Sequence, residues 1–289
     1  MCNRINGKNA AKNVLVVGTA KDCAQYLKAD IYKLQSALAD FKQVYWLVIE
    51  SDSKDTTLQV LNKLALEIHH FRYLSLGSLS GKLPLRTERI AHCRNAYLKE
   101  LRENPLYEAI KWVVVADLDG ANNLISPQAI ASCFTRDDWD VCAANQQGPY
   151  YDIWALRHEA WCPNDCWQQA DFLHRYGLRQ KQAKFSSVFS KMLVIPPKSL
   201  WIEVDSAFGG LAIYRRCALE KANYVGIRND GTEVCEHVTL HQQIKNQGFS
   251  IFINPALINI ETKKYSKKGC KKNKHPSLLK RLFKRFEDS

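Results

Sequence analysis

Residues 112–120 read Trp112-Val113-Val114-Val115-Ala116-Asp117-Leu118-Asp119-Gly120, an apolar run that ends in two carboxylates and a glycine. Its five apolar residues show no alternation, as in a strand buried on both faces by helices. Working back toward the N-terminus, strand-like and helix-like stretches alternate. Val14–Thr19, Val44–Ile49 and Phe71–Leu76 read as strands, and Asp22–Asp40, Asp55–His69 and Arg86–Arg102 as helices, the last closed by Pro105. The order β-α-β-α-β-α-β predicts an α/β domain with a largely parallel sheet. Asp117 and Asp119 then fall at the carboxyl edge of that sheet, where open α/β sheets bind ligands.

Beyond Gly120 the regularity fades. Residues 139–176 are rich in Trp, Tyr and His and read as irregular or antiparallel; strands at Met192–Ile195 and Leu211–Tyr214, a helix over 233–246 and a strand at Phe249–Asn254 follow. Without a linker or repeat between the halves, one domain over residues 1–260 is expected, with a first part over 1–120, a second over 121–260, and a basic tail over 261–289. Of the net charge of +12, +8 lies in that tail, so the other 260 residues carry only +4 and nucleic-acid binding is not expected. No apolar run approaches the roughly 20 residues needed to cross a bilayer. The polar stretch Met1–Lys12 lacks the apolar core of a signal peptide, so a cytoplasmic location and reduced thiols at the ten cysteines are expected.

On an extended strand end, residues i and i+2 point the same way, so Asp117 and Asp119 should sit roughly 6 to 7 Å apart. Two hard oxygen donors suit Mg²⁺ or Mn²⁺ bridging to a diphosphate; the bland alternative is a turn or capping pair. The first turn, Val17-Gly18-Thr19-Ala20, has no Gly-x-Gly-x-x-Gly, and Gly-x-x-x-x-Gly-Lys-Ser/Thr occurs nowhere. Dinucleotide dehydrogenases and P-loop NTPases are thereby excluded, and phosphate charge is left to a metal and arginines.

Asp117-Leu118-Asp119-Gly120 resembles the motif of haloacid-dehalogenase-type phosphatases, in which Asp117 would be the nucleophile. There the motif follows the first strand and continues Thr-Leu, whereas here three strands precede it and Ala121-Asn122 follow. The layout more closely resembles nucleotide-sugar glycosyltransferases of the GT-A fold, in which a Rossmann-like donor half with a mixed sheet ends at Asp-x-Asp and an acceptor half follows. Three further segments resemble the fungal capsule-associated α-1,3-mannosyltransferases and the related mannan-polymerase subunits. They are Glu50-Ser51-Asp52-Ser53-Lys54-Asp55-Thr56-Thr57, Arg86 to Asn95 (RTERIAHCRN), and Val204 to Tyr214 (VDSAFGGLAIY) followed by Glu233-Val234-Cys235-Glu236-His237-Val238. Ser53 or Asp55 is equally a good helix cap, and the arginines equally a solvated basic face.

The resemblance implies a UDP- or GDP-sugar donor held by Thr19, Glu50, Asp52, Arg86, Arg94 and Asp117, and Mn²⁺ or Mg²⁺ on Asp117 and Asp119. Glu236 is the first candidate for the acid beside the acceptor hydroxyl and Asp205 the second, while inversion or retention stays open. The family's third metal ligand is a C-terminal histidine; the last strand has none, which leaves His241 as the candidate. Ser277–Phe286 (SLLKRLFKRF) places apolar residues on one helical face and cations on the rest, as in helices that lie on anionic bilayers. The expectation is a peripheral enzyme of surface-polysaccharide assembly at the inner face of a membrane, acting on a glycan or lipid-linked glycan. A dehalogenase-type phosphatase and a non-enzymatic basic binding protein are the rivals.

Overall fold

The computed structural model describes residues 12–262; the predicted tail helix at Ser277–Phe286 lies outside them. Strands β1 (Asn13–Ala20), β2 (Gln43–Glu50), β3 (Phe71–Ser75) and β4 (Trp112–Ala116) alternate with helices α1 (Ala24–Ala37), α2 (Thr57–Glu67) and α3 (Arg86–Glu103). After β4 come α4 (Pro127–Ser132), β5 (Val141–Gln147), α5 (Cys166–Arg175), α6 (Gln180–Ser187), β6 (Ile202–Glu203) and β7 (Leu211–Arg215). The chain closes with α7 (Arg216–Leu219), α8 (Glu236–Asn246) and β8 (Ile251–Glu261). All eight strands join one sheet in the order β3-β2-β1-β4-β7-β5-β8-β6. The expected α/β class and parallel first half are present: β3, β2, β1 and β4 run parallel, with β1 in register with β2 from Asn13↔Gln43 to Ala20↔Glu50. The far half is mixed. β7 runs antiparallel to both β4 and β5, while β5 and β8 are parallel.

Strand alternation sorts the core into two layers. Leu15, Val17, Leu47, Ile49, Val113 and Val115 pack with Tyr97, Leu98 and Leu101 of α3 and Leu240 and Ile244 of α8. Val14, Val16, Trp46, Val48 and Val114 pack with α1, α2 and α4 through Leu27, Ile31, Leu34, Leu61 and Ile130. A strand covered on both faces has no polar side to show, which is why β4 reads as a continuous apolar run.

Three expectations are corrected. Met192–Ile195 forms no strand; only Val194 makes an isolated bridge, to Pro149, because Pro196 and Pro197 remove the donors a ladder needs. Residues 139–176 contain β5, an inner strand missed because its Asn145-Gln146-Gln147 end breaks the apolar pattern. The last strand does not stop at Pro255 but runs to Glu261. Register shifts on either side of Asn145 accommodate the proline, and the Asn145 amide donates to the Pro255 carbonyl at 2.9 Å. Among the described residues, no helix is long and apolar enough to cross a membrane.

Candidate active site

The carboxyl ends of β1, β2 and β4 open into a cavity of about 380 Å³. Thr19, Ser51, Asp52, Asp117 and Asp119 line one wall, and Asp152, Trp154, Phe208, Glu236 and His237 the other, with Arg86, Arg89 and Arg94 of α3 between them.

β4 ends at Ala116, so Asp117 and Asp119 stand just beyond the strand, at its carboxyl end. The Asp117 amide donates to the Gly210 carbonyl at 2.9 Å, and the Asn122 amide group donates to the Asp117 carbonyl at 2.6 Å. Gly120, at φ +95°, turns the chain, and its N–H donates to Asp30 of α1 at 2.7 Å. Burial pushes the Asp117 carboxyl up to about 7, against the opposing pull of Arg94, and Asp119, Asp152 and Glu236 add to the rise. Asp119 is exposed, and no hydrogen bond or ion pair reaches its carboxylate among the described residues.

The two walls meet at Arg94. Its guanidinium, only 5% exposed, lies 3.2 Å from Asp117 Oδ1 and 3.3 Å from Glu236 Oε1, between the rings of Phe208 and Tyr224. The expected convergence of Arg86 and Arg94 on a diphosphate is therefore corrected for Arg94, whose charge is already shared between two carboxylates. Arg86 is exposed at the first turn of α3 and lines the cavity.

Glu236 is the first residue of α8 and is buried. Glu233, three residues earlier, accepts from the Thr87 hydroxyl at 2.6 Å and ties this turn to α3. Next to Glu236, His237 stacks on Phe208 with ring centroids 3.7 Å apart. It is 3% exposed, and neither ring nitrogen has a hydrogen-bond partner. Burial, with help from Arg94 and His241, holds its pKa well below the usual histidine value, so the ring is neutral.

Among the other predicted residues, Thr19 and Asp52 line the cavity. Asp52 adopts φ 58° and accepts from the Leu79 and Ser80 amides at 3.0 and 2.9 Å. Burial opposes its ionisation, but the donors from Ser80 and Leu79 outweigh that and hold its carboxyl below the usual range. Glu50 is not in the cavity: it is buried and accepts from Ser75 Oγ at 2.5 Å and from the Ser53 amide at 3.0 Å, bracing β2 against β3. Ser53 and Asp55 accept from the Asp22 and Ala24 amides, so their part of that segment splices two loops.

Asp205 is also outside the cavity, solvent-exposed 3.8 Å from Lys245. His241 is not a metal ligand here. It is fully buried, with Nδ1 2.9 Å from Ser206 Oγ and Nε2 2.8 Å from the Tyr214 hydroxyl, so both ring nitrogens are engaged. Among the described residues no group of three or more His, Cys, Asp or Glu side chains is placed to hold a metal. Asp117 and Asp119 nevertheless fit a hard cation that takes its remaining ligands from water and phosphate oxygens.

Sequence reasoning missed Asp30, whose role depends on a fold contact 90 residues away, and assigned no contact to Asp152. The latter accepts from the Gly209 amide at 2.9 Å and holds the Gly209-Gly210 turn, at φ +70° and +85°, against the back of the site.

No family model matches the chain, and no curated protein matches it. Solved structures similar to it include a mannosyltransferase from Pyrobaculum calidifontis in complex with GDP-Man and Mn²⁺, at 14% identity and a TM-score of 0.48, over 86% of this chain and 56% of that one. Residues 1–349 of TarS from S. aureus align at 16% identity and a TM-score of 0.45, over 84% and 57%. Glucosyl-3-phosphoglycerate synthase from Mycobacterium tuberculosis, with Mn²⁺, UDP and phosphoglyceric acid, aligns at 14% identity and a TM-score of 0.43, over 86% and 67%. The chain thus spans a little over half the length of the first two.

Proposed function

We propose that this chain is a metal-dependent glycosyltransferase of the GT-A type, moving a hexosyl group from a UDP- or GDP-sugar to a hydroxyl of a glycan or lipid-linked glycan in surface-polysaccharide assembly. Residues 1–120 supply the donor half and 121–260 the acceptor half, and the enzyme works at the cytoplasmic face of a membrane. One observation carries the reading. A single cavity holds an Asp-x-Asp pair at the end of a parallel sheet and, across Arg94, a buried carboxylate at the start of α8.

Asp117 and Asp119 hold Mn²⁺ or Mg²⁺, which when bound offsets the charge that develops on the diphosphate leaving group. Thr19 and Asp52 bound the donor pocket, and exposed Arg86 supplies a mobile cation to the phosphates. Arg94 does not bind substrate; its guanidinium bridges Asp117 and Glu236 and holds the two carboxylates at a fixed separation. Glu236 takes the proton from the acceptor hydroxyl if the anomeric configuration inverts, and orients that hydroxyl if it is retained. Neutral His237, its ring stacked on Phe208, lines the cavity beside Glu236 and shapes the acceptor side of the site.

The test is thermal unfolding with UDP, GDP, dTDP or CMP, each with Mn²⁺ and with EDTA. The mannosyltransferase-like segments make GDP one of the first nucleotides to examine. Ligand at 100 times its dissociation constant stabilises by about 2.7 kcal/mol. The reading expects such a shift for one nucleotide, requiring metal and absent in Asp119→Ala. No shift with any nucleotide, or phosphate release from simple esters that Asp117→Asn abolishes, overturns it.

A further inference from the structure

The helical hairpin α5–α6 is built inside out, whereas the segment after it anchors Val188 and Ile195 in the core and leaves Leu193, Val194 and Leu200 exposed. Each helix turns small residues inward: Cys166 and Ala170 are buried on α5, and Ala183 and Ser187 on α6. The large apolar side chains point outward, with Phe172 54% exposed, Tyr176 75% and Phe185 37%, the reverse of what burial favours. Phe172 and Tyr176 lie against each other with ring centroids 4.6 Å apart and planes tilted by 39°, forming an aromatic knob on the outside of α5. Eight of the thirteen exposed large hydrophobic residues of the described chain fall between Trp167 and Leu200.

The charge of the same stretch is equally one-sided. Residues 166–200 carry six Lys and Arg against the single acid Asp171, a net +5, while the rest of the first 260 residues together net −1. Arg175, Arg179, Lys181 and Lys184 are all exposed among the aromatic groups. Exposed aromatic and aliphatic groups interleaved with cations match an anionic bilayer interface, where the apolar tips enter the headgroup layer and the ammonium and guanidinium groups meet lipid phosphates. Protein–protein interfaces, in contrast, are depleted of lysine.

The hairpin is also attached to the cavity wall. Asp165, the N-cap of α5, accepts from the indole N–H of Trp154 at 2.9 Å and pairs with Arg157 at 3.1 Å, and Trp154 lines the cavity. We infer that the exposed face of residues 166–200 docks the protein on an anionic lipid surface. This surface is separate from the basic tail, stands independently of the sugar-transfer reading, and lies next to the acceptor wall of the cavity.

The test uses the full chain. Cosedimentation with vesicles of phosphatidylcholine plus phosphatidylglycerol is compared with phosphatidylcholine alone, for the parent, for Phe172→Ser with Tyr176→Ser, and for Lys181→Glu with Lys184→Glu. Because all four positions are exposed, thermal unfolding should be unchanged, which confirms that the variants fold. The parent is expected to bind only the anionic vesicles, each double variant to bind about tenfold or more weakly, and amide exchange over 166–187 to slow when the vesicles are added. Undiminished binding by both variants, absence of that protection, or no vesicle binding by the parent overturns the inference. So does a dimer that Phe172→Ser with Tyr176→Ser dissolves without lipid, which would assign the surface to a second copy of the chain.

Discussion

The two walls of the cavity are built by different means. On the wall at the ends of β1, β2 and β4, each functional group stands at the end of a strand and is held largely by its own neighbourhood. Asn122 caps the Asp117 carbonyl five residues away, and Asp52 is caught by two consecutive amides, Leu79 and Ser80, of the loop that follows the adjacent parallel strand β3. The opposite wall gathers Asp152, Phe208–Gly210, Glu236 and His237 from distant parts of the chain. They meet because β7 returns antiparallel between β4 and β5, which brings the Gly210 carbonyl to the Asp117 amide. The first wall is a local product of strand-loop-helix succession; the second exists only once the sheet has closed. The proposed chemistry divides the same way, with the donor on the local wall and the proton on the distant one.

The sharpest way to break this division is to compare one carboxylate from each wall. Glu236→Gln should lower the rate of transfer by about 10²- to 10⁴-fold, the range of a positioned acid or base. It should leave metal-dependent stabilisation by the donor nucleotide in place. Asp119→Ala should instead remove that stabilisation. Kinetics with the donor identified by thermal shift, run beside the shift itself, separates the two. Equal loss of nucleotide binding in both variants would mean the walls do not act separately.

Arg94 is where the comparison can be tested as structure. It is the only arginine bridging the two walls among the described residues, and removing a buried member of an ion pair leaves an uncompensated charge at a cost of about 3–5 kcal/mol. Arg94→Met should lower the unfolding free energy by that amount in urea titrations. Arg86→Met, exposed on the same helix, should stay within about 0.5 kcal/mol and weaken only donor binding. Similar stability losses for the two would show that Arg94 does not join the walls.

Glycines give a smaller contrast. Gly209 sits at φ +70°, and a Cβ there would lie 2.8 Å from the Ala144 carbonyl oxygen, a backbone atom in β5 that cannot yield. Gly209→Ala should cost about 2–3 kcal/mol, combining left-handed strain with overpacking. Gly120, at φ +95° on the other wall, would meet only the ring of Tyr26 at 3.2 Å, an exposed side chain that can swing away. Gly120→Ala should therefore cost about 1 kcal/mol less than Gly209→Ala. Paired denaturant melts measure the difference.

The same division explains what could be read in the sequence. The elements of the first half were legible to within a few residues because fully buried strands and amphipathic helices carry their periodicity locally, and Asp117, Asp119 and Asp52 came with them. Glu236 was reached through a short motif and the acid that opens a helix. What failed depended on pairing between distant segments. His241 sits one turn beyond His237 and looks like a ligand, yet Ser206 and Tyr214 occupy both its nitrogens. Arg94 looks like a phosphate clamp until Glu236, 142 positions later in the sequence, is seen beside it. Pro255 reads as a stop until the irregular register beside Asn145 absorbs it. The side chain of Glu50 is consumed by a strand neighbour, Ser75, that only the sheet supplies.

The smallest effect concerns the protons that the two walls hold. Under the first wall, burial pushes Asp30 up from 3.8 to about 6, offset in part by the Gly120 amide and augmented by Asp119. The folded state therefore holds that proton more tightly than the unfolded chain, so this group's contribution to stability is full below about pH 4 and is lost as pH rises to about 6. Behind the second wall, burial pushes His241 down from 6.5 to about 3. Its contribution has the opposite sign, present above pH 6.5 and lost as pH falls toward 3. Asp30→Asn keeps an oxygen for the Gly120 amide but has no charge to desolvate. It should raise the unfolding free energy by about 1–2 kcal/mol above pH 6, with the gain shrinking to nothing near pH 4. The acid-side loss due to His241 should stay unchanged in the same variant. Urea melts of parent and Asp30→Asn between pH 4 and 8 provide the measurement, and a gain that is flat with pH would show that the Asp30 proton is not what the turn after Asp119 holds.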